Sequence, residues 1–185
     1  MTLPAASLIA LMLLAPFFAS AHNFINGQRV APVGISDRGE LILQQNETRY
    51  VNWNSAKLPG KVRVLLHIAG RLSAKEMNEA VAEAIAAAQL PPARYQTTTV
   101  VNTDDAIPGS AIFVRNSLES SKKAAPQSAF VIDSKGSARR AWALKDGGSA
   151  VVVLDKDGKV RFAKDGALSP GEVEQVIALL RNLLK

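Results

Sequence analysis

The stretch Val62–Ala88, VRVLLHIAGRLSAKEMNEAVAEAIAAA, decides the fold. Its opening run, Val62 to Ile68, is short, mostly apolar and β-branched at several positions, the pattern of a central strand buried on both faces. Ser73-Ala74-Lys75-Glu76 then reads as a capping box, with the Ser hydroxyl accepting an orphan N–H and the Glu reaching back, so a helix is expected to start there. Met77, Ala80, Val81, Ala84, Ile85 and Ala88 recur at helical spacing and give one apolar stripe. Pro91-Pro92 stops it. The next run, Tyr95–Asn102 (YQTTTVVN), is rich in Thr and Val and reads as a second strand. A strand, a helix and a strand in this order imply a parallel pair, because parallel neighbours need a crossover.

Working outward, Arg29 to Leu43 alternates, with Ala31-Pro32 opening an extended piece and Asp37-Arg38-Gly39 predicted as a turn between two short strands. Downstream, Asp104–Gly109 (DDAIPG) is a loop. Asn116-Ser117-Leu118-Glu119 is expected to cap a short helix that stops before Pro126. Phe130-Val131-Ile132 is a short strand. Val151–Leu154 and Lys159–Ala163 form a hairpin around Asp155-Lys156-Asp157-Gly158. Ser169-Pro170-Gly171-Glu172 opens the last helix with a capping box and Pro at the first helical position, and Val173, Val176, Ile177, Leu180 and Leu184 line one face. The fold class is α/β, a mixed sheet with helices. No repeat, linker or low-complexity tract interrupts residues 22–185, which are expected to form one domain.

The chain has 185 residues, 48% hydrophobic and 21% charged, an ordinary globular composition. It contains no cysteine, which excludes disulfides, thiolate catalysis, Fe–S clusters and most structural zinc sites. The net charge of +6 biases the protein toward anionic partners. The cations are scattered, in runs no longer than Lys122-Lys123 and Arg139-Arg140, unlike the clustered charge of nucleic-acid binders. Leu8–Ala19 (LIALMLLAPFFA) is too short to span a membrane. Followed by Ala19-Ser20-Ala21, it fits an export signal cleaved after Ala21, although the segment before it lacks Lys and Arg. The expected mature protein starts at His22, keeps no stable membrane span and, in a Gram-negative host, resides in the periplasm. Asn46-Glu47-Thr48 is a glycosylation sequon that matters only in a host with that machinery.

Leu58-Pro59-Gly60-Lys61-Val62 followed by LLHIAG resembles the strand that enters the redox site of exported thiol oxidoreductases and peroxiredoxins. Ala129–Gly136 (AFVIDSKG) and Ala150–Val160 (AVVVLDKDGKV) resemble later strands of the same superfamily. TTTVVNTDDAIPGSAIFVRNSLESSKK, with AHNFINGQRVAP near the mature start, closely resembles the YtfJ family of small periplasmic proteins. The resemblance implies a thioredoxin-like three-layer sandwich: a mixed central sheet with an N-terminal β-hairpin extension and helices on both faces. It also locates two departures. Gly70-Arg71-Leu72-Ser73 stands where redox relatives carry Cys-x-x-Cys, and Ser149-Ala150 stands where they carry a cis-proline. Disulfide exchange needs an attacking thiolate, and a serine hydroxyl does not replace it.

The candidate site is therefore the end of the parallel strands, where open α/β sheets bind ligands. Gly70, Arg71 and Ser73 are expected to offer helix N–H groups and a guanidinium to a carboxylate or phosphate. Asp104 and Asp105 follow the second strand and face the same end, either as a carboxylate pair or as turn residues accepting backbone hydrogen bonds. Ser149 completes the set. His67 is expected to be a hydrogen-bonded core residue. His22 and His67 are the weak candidates for a metal, and no metal or other cofactor is expected. Asp155–Gly158 is a hairpin turn and not a calcium loop, because the Gly comes too early and no Glu follows at the twelfth position. Ser110 lies outside G-x-S-x-G, and no phosphate-loop or dinucleotide fingerprint occurs.

These observations lead to a non-catalytic binding module whose partner is a periplasmic protein or a small anionic ligand, with no nucleic acid. The alternative is a small-molecule or metal-dependent enzyme using Arg71, Asp104, Asp105 and His67. A transcriptional regulator, as labels within the family suggest, is the weakest reading, because an export signal opposes it and no helix-turn-helix pair is visible.

Overall fold

The protein is described by a computed structural model that covers residues 22–45 and 47–185. The expected export signal, residues 1–21, and Asn46 of the sequon lie outside the described residues. Seven strands form one mixed sheet: β1 Gly34–Gln44, β2 Glu47–Asn54, β3 Val62–Ala69, β4 Tyr95–Asn102, β5 Ala129–Asp133, β6 Ser149–Leu154 and β7 Val160–Asp165. Their spatial order is β2-β1-β5-β4-β3-β6-β7. The pairs β3–β4 and β4–β5 are parallel, and β6, β7 and the β1–β2 hairpin add antiparallel strands on the two sides. The helices are α1 Leu72–Glu76, α2 Glu79–Ala87, α3 Ala111–Ala124, α4 Ser137–Trp142 and α5 Pro170–Leu183.

Strand periodicity sorts the core into layers. Val62, Val64 and Leu66 of β3 and Val151 and Val153 of β6 face α2 and α5, packing with Val81, Val176 and Leu180. Further along the same face, Val101 and Ile132 meet Leu118 of α3. The alternate residues Leu65, Val100, Val131 and Val152 point the other way, onto Trp142 of α4, Trp53 and Phe24. Such two-sided burial explains why β3 and β6 read as apolar runs in sequence.

Arg63 is one of two polar exceptions on β3, His67 being the other. Arg63 is 9% exposed, and its guanidinium donates to the carbonyls of Leu58 and Lys57 and to the side chains of Gln96 and Thr98. Neutral acceptors thus solvate a buried cation, and the charge is fixed at the start of β3, far from the candidate site.

Four local expectations are corrected. Asp37-Arg38-Gly39 is not a turn between strands; it lies inside β1, where the register with β2 shifts between Ile35 and Glu40. Gly39 has φ +81°, and a Cβ there would overlap the carbonyl oxygen of Val51. Turn residues here make a bulge, which uses the same backbone freedom. Asn116 does not start α3, which begins at Ala111 after Ser110. The expected single helix over 73–88 is two, interrupted at Met77-Asn78. Finally, α4 has no sequence counterpart, being a six-residue segment below the length at which periodicity is readable. The last helix agrees: the Ser169 hydroxyl accepts from Glu172 N–H, the Glu172 carboxylate accepts from Ser169 N–H, and Pro170 opens the first turn.

Candidate functional site

β3 ends at Ala69, and the Gly70-Arg71 turn that follows is stitched to the next crossover. Gly70 N–H donates to Asn102 O (2.8 Å) and Arg71 N–H to Ala69 O (2.7 Å). Arg71 is the extended residue before α1, with φ −131° and ψ 148°, so the helix starts at Leu72 and Ser73 is already helical. The predicted capping box is absent for that reason, since a cap must be extended while the residues after it coil.

Arg71 and Asp105 do meet, though not as an ion pair: Arg71 Nε donates to the backbone carbonyl of Asp105. The guanidinium also lies over Gly147, where a Cβ would sit 3.5 Å from one of its terminal nitrogens. Arg71 therefore bridges the Thr103–Asp105 turn and the loop before β6.

The two aspartates diverge. Asp105 Oδ2 accepts from Asn102 Nδ2 (2.8 Å) and from Gly147 N–H (3.3 Å), and lies 3.8 Å from Arg139 Nε. Arg139 pairs at its far end with Asp146. Asp104 is exposed and turns toward Gly136, while its N–H donates to Asn102 Oδ1 (3.1 Å). Asn102, fully buried at the end of β4, therefore holds both neighbours apart. On β5 the equivalent end residue, Asp133, accepts Ala138 N–H (2.8 Å) and fixes the start of α4.

Ser149 is 1% exposed. Its hydroxyl donates to His67 O (2.9 Å) and accepts from Asn78 Nδ2. Asn78 is the residue at which the helix breaks, and its side chain ties the break to β6. No described peptide bond is cis.

His67 is on the opposite face of β3, 2% exposed, its ring edge-on to Trp142 with centroids 6.3 Å apart. It is buried in the core as expected, and among the described residues its Nε2 has no hydrogen-bond partner. Burial pushes its pKa from 6.5 down to about 4; the nearby Asp105 charge opposes this and Arg139 adds to it. The imidazole is thus neutral at physiological pH. His22 contacts the Phe24 ring (5.1 Å), and its Nδ1 accepts from Phe24 N–H. Phe24 in turn packs on Trp142 (5.8 Å). The two histidines are thus joined through two aromatic rings rather than converging. Among the described residues, no three His, Asp or Glu side chains stand close enough together to hold a metal ion.

The same end carries features that the sequence reading missed. Leu72, Ile107 and Phe113 are 70%, 62% and 73% exposed, with Ile112 beside them at 50%. All four follow the carboxyl ends of β3 and β4. Ser110 Oγ donates to Ile107 O (2.7 Å), which folds the loop onto the first turn of α3. A signal was present: an isoleucine between Ala106 and Pro108 in a polar loop, and an Ile112-Phe113 pair at the start of a helix. Asn78 had one too, as an asparagine inside an apolar helical stripe.

Comparison with known proteins places this geometry. The profile of a family described as a bacterial protein of unknown function (YtfJ_HI0045) matches residues 24–183. The "Uncharacterized protein YtfJ" of Escherichia coli K12 is 64% identical over 173 residues, covering 94% of each chain. A Haemophilus influenzae protein is 44% identical over 165 residues, covering 89% of this chain and 90% of its own. Among solved structures, one assigned as a protein disulfide isomerase of Bacteroides thetaiotaomicron superposes with a TM-score of 0.61 at 16% identity, covering 88% of this chain and 92% of that one. The fold is thioredoxin-like.

Proposed function

Because the chain belongs to the YtfJ family of bacterial proteins, and because it has no cysteine, we propose that it is an exported, periplasmic binding module that docks a protein partner at the carboxyl end of the parallel strands. One observation carries this reading. The end that redox relatives use for chemistry here has no thiol, and it presents Leu72, Ile107 and Phe113 to solvent instead. Exposed apolar side chains grouped at one end are the usual mark of a protein contact. The neighbour assigned as a disulfide isomerase has, by that name, a protein substrate, which favours a protein occupant over a small molecule. The geometry also weakens the anion reading, because Gly70 N–H, Arg71 N–H and Arg71 Nε are already donated within the fold.

The test is a photoreactive amino acid placed singly at Leu72, Phe113 and the exposed Gln175 of α5, in intact cells of the host. The expected result is one discrete adduct from Leu72 and Phe113 that Ile107→Asp abolishes, and none from Gln175. Equal labelling at all three positions, or no adduct, refutes the docking surface. Titration with phosphate and citrate, comparing wild type with Arg71→Ala, decides the anion alternative: saturable binding lost in the variant would favour it.

A further inference from the structure

The cations that are dispersed in sequence are gathered by the fold at the other end of the molecule. The first residues of β3, β4 and β7 and the last of β6 share one edge of the sheet, eight β3 residues away from the Gly70 turn, about 25 Å at strand rise. There the segments interlock. Gly60 N–H donates to Lys156 O (2.7 Å), Arg29 bridges to Lys159, and Val62 N–H donates to Arg94 O (3.0 Å). Lys61 Nζ reaches Pro92 O (2.7 Å). Four different segments thus bring Arg29, Lys61, Arg94 and, from one hairpin, Lys156, Lys159 and Arg161 to this edge, all exposed except the half-buried Lys61. Leu184, packed in one cluster with Val62 and Tyr95, adds Lys185.

Against these stand Asp155 and Asp157. Asp155 is buried and engaged by Arg161 (2.8 Å) and by the N–H groups of Asp157 and Lys159. At the far end the charges are nearly balanced, with Asp104, Asp105, Asp133 and Asp146 beside Arg71, Arg139 and Arg140. Compensation of helix dipoles does not account for the basic edge, because Arg29, Lys61, Lys156, Lys159 and Arg161 come from strands and turns. An exposed apolar residue stands among them. Ile25 is 55% exposed, in the turn where Gln28 N–H returns to Ile25 O and Gly27 N–H donates to Val160 O (2.8 Å).

We propose that this edge docks the protein on an anionic phospholipid surface, with the cations over the headgroup phosphates and Ile25 dipping into the interface. The protein would then stand with its Leu72–Phe113 end facing away from the bilayer, free for its partner. A broad rim of cations from separate turns, with one aliphatic tip, matches a planar array of phosphates. Single-stranded nucleic acid would call for aromatic platforms, whereas the large exposed side chain at this edge is aliphatic.

The assay is co-sedimentation of the protein, as isolated from its host, with phosphatidylcholine vesicles with and without about one-third phosphatidylglycerol, at low and high salt. Retention is expected only on the anionic vesicles and is expected to fall with salt. Each neutralised cation near the surface weakens binding about fivefold, so Lys156→Gln with Lys159→Gln should lower it about 25-fold. Ile25→Ser should weaken retention further, and Arg140→Gln at the far end, also exposed, should leave it unchanged. Equal retention on neutral vesicles overturns the proposal. So does insensitivity to the double variant, or binding of duplex DNA, with the same sensitivity, by a protein that vesicles do not retain. The outcome is independent of the crosslinking test, because the two surfaces lie at opposite ends.

Discussion

His67→Gln should abolish most of the protein's mild-acid sensitivity. His67 is 2% exposed with an unpartnered Nε2, and burial depresses its pKa from 6.5 to about 4. The unfolded chain therefore binds a proton that the folded chain refuses. Between those two values the unfolded state holds more protons, so stability rises with pH and falls on acidification. The full depression is worth about 3 kcal/mol, and about 2 kcal/mol of it is lost between about pH 7.5 and about pH 5. Asp37, Asp155 and Glu172 have pKa values lowered by their hydrogen bonds and ion pairs. Their stabilisation is present above the ordinary carboxylate range and lost below it, so it stays largely in place at about pH 5. Urea unfolding followed by tryptophan fluorescence at the two pH values reads the difference directly, with Trp53 and Trp142 both buried as reporters. Wild type should lose about 2 kcal/mol on going to the acid side, while His67→Gln, less stable overall for want of the Trp142 ring contact, should lose little. A wild-type protein equally stable at both values, or a variant that keeps the full slope, would falsify the argument.

Gly39→Ala should destabilise by about 2–3 kcal/mol, because φ +81° is left-handed and the new Cβ overlaps Val51 O; a shift in urea midpoint under half that size contradicts the bulge. Ser149→Val strips Asn78 Nδ2 of its acceptor and should cost about 1–3 kcal/mol, whereas Asn78→Ala combined with it should cost less than the two singles summed. Additive losses in that double-mutant cycle would show that the two side chains do not act together. N-terminal sequencing of the protein isolated from its host should begin at His22, and a chain starting at Met1 would remove the export reading and with it the periplasmic address.

Much of the scaffold is legible because its causes are local. Val62–Ile68, Tyr95–Asn102 and the hairpin around Asp155–Gly158 are specified by side chains one to four positions apart, and Ser169 with Glu172 caps α5 by a contact three residues long. Local signals fail where a distant partner overrides them. Ser73-Glu76 has the letters of a capping box, but the carbonyl of Asn102, from the next crossover, holds Gly70 first. The helical stripe ignores Asn78, whose partner lies 71 residues away.

The sequence by itself determined the strand–helix alternation, the absence of any thiol and the turn that follows the Val62–Ile68 run, all properties of single residues and their near neighbours. Only the tertiary structure decided that Asp104 and Asp105 part company around Asn102, that Arg71 is tied to a backbone carbonyl, and that His67 is buried with its Nε2 unpartnered among the described residues. It also decided that cations never more than two in a row meet along one edge. Charge and hydrogen bonding act across space, and sheet order, rather than spacing along the chain, sets which groups share that space.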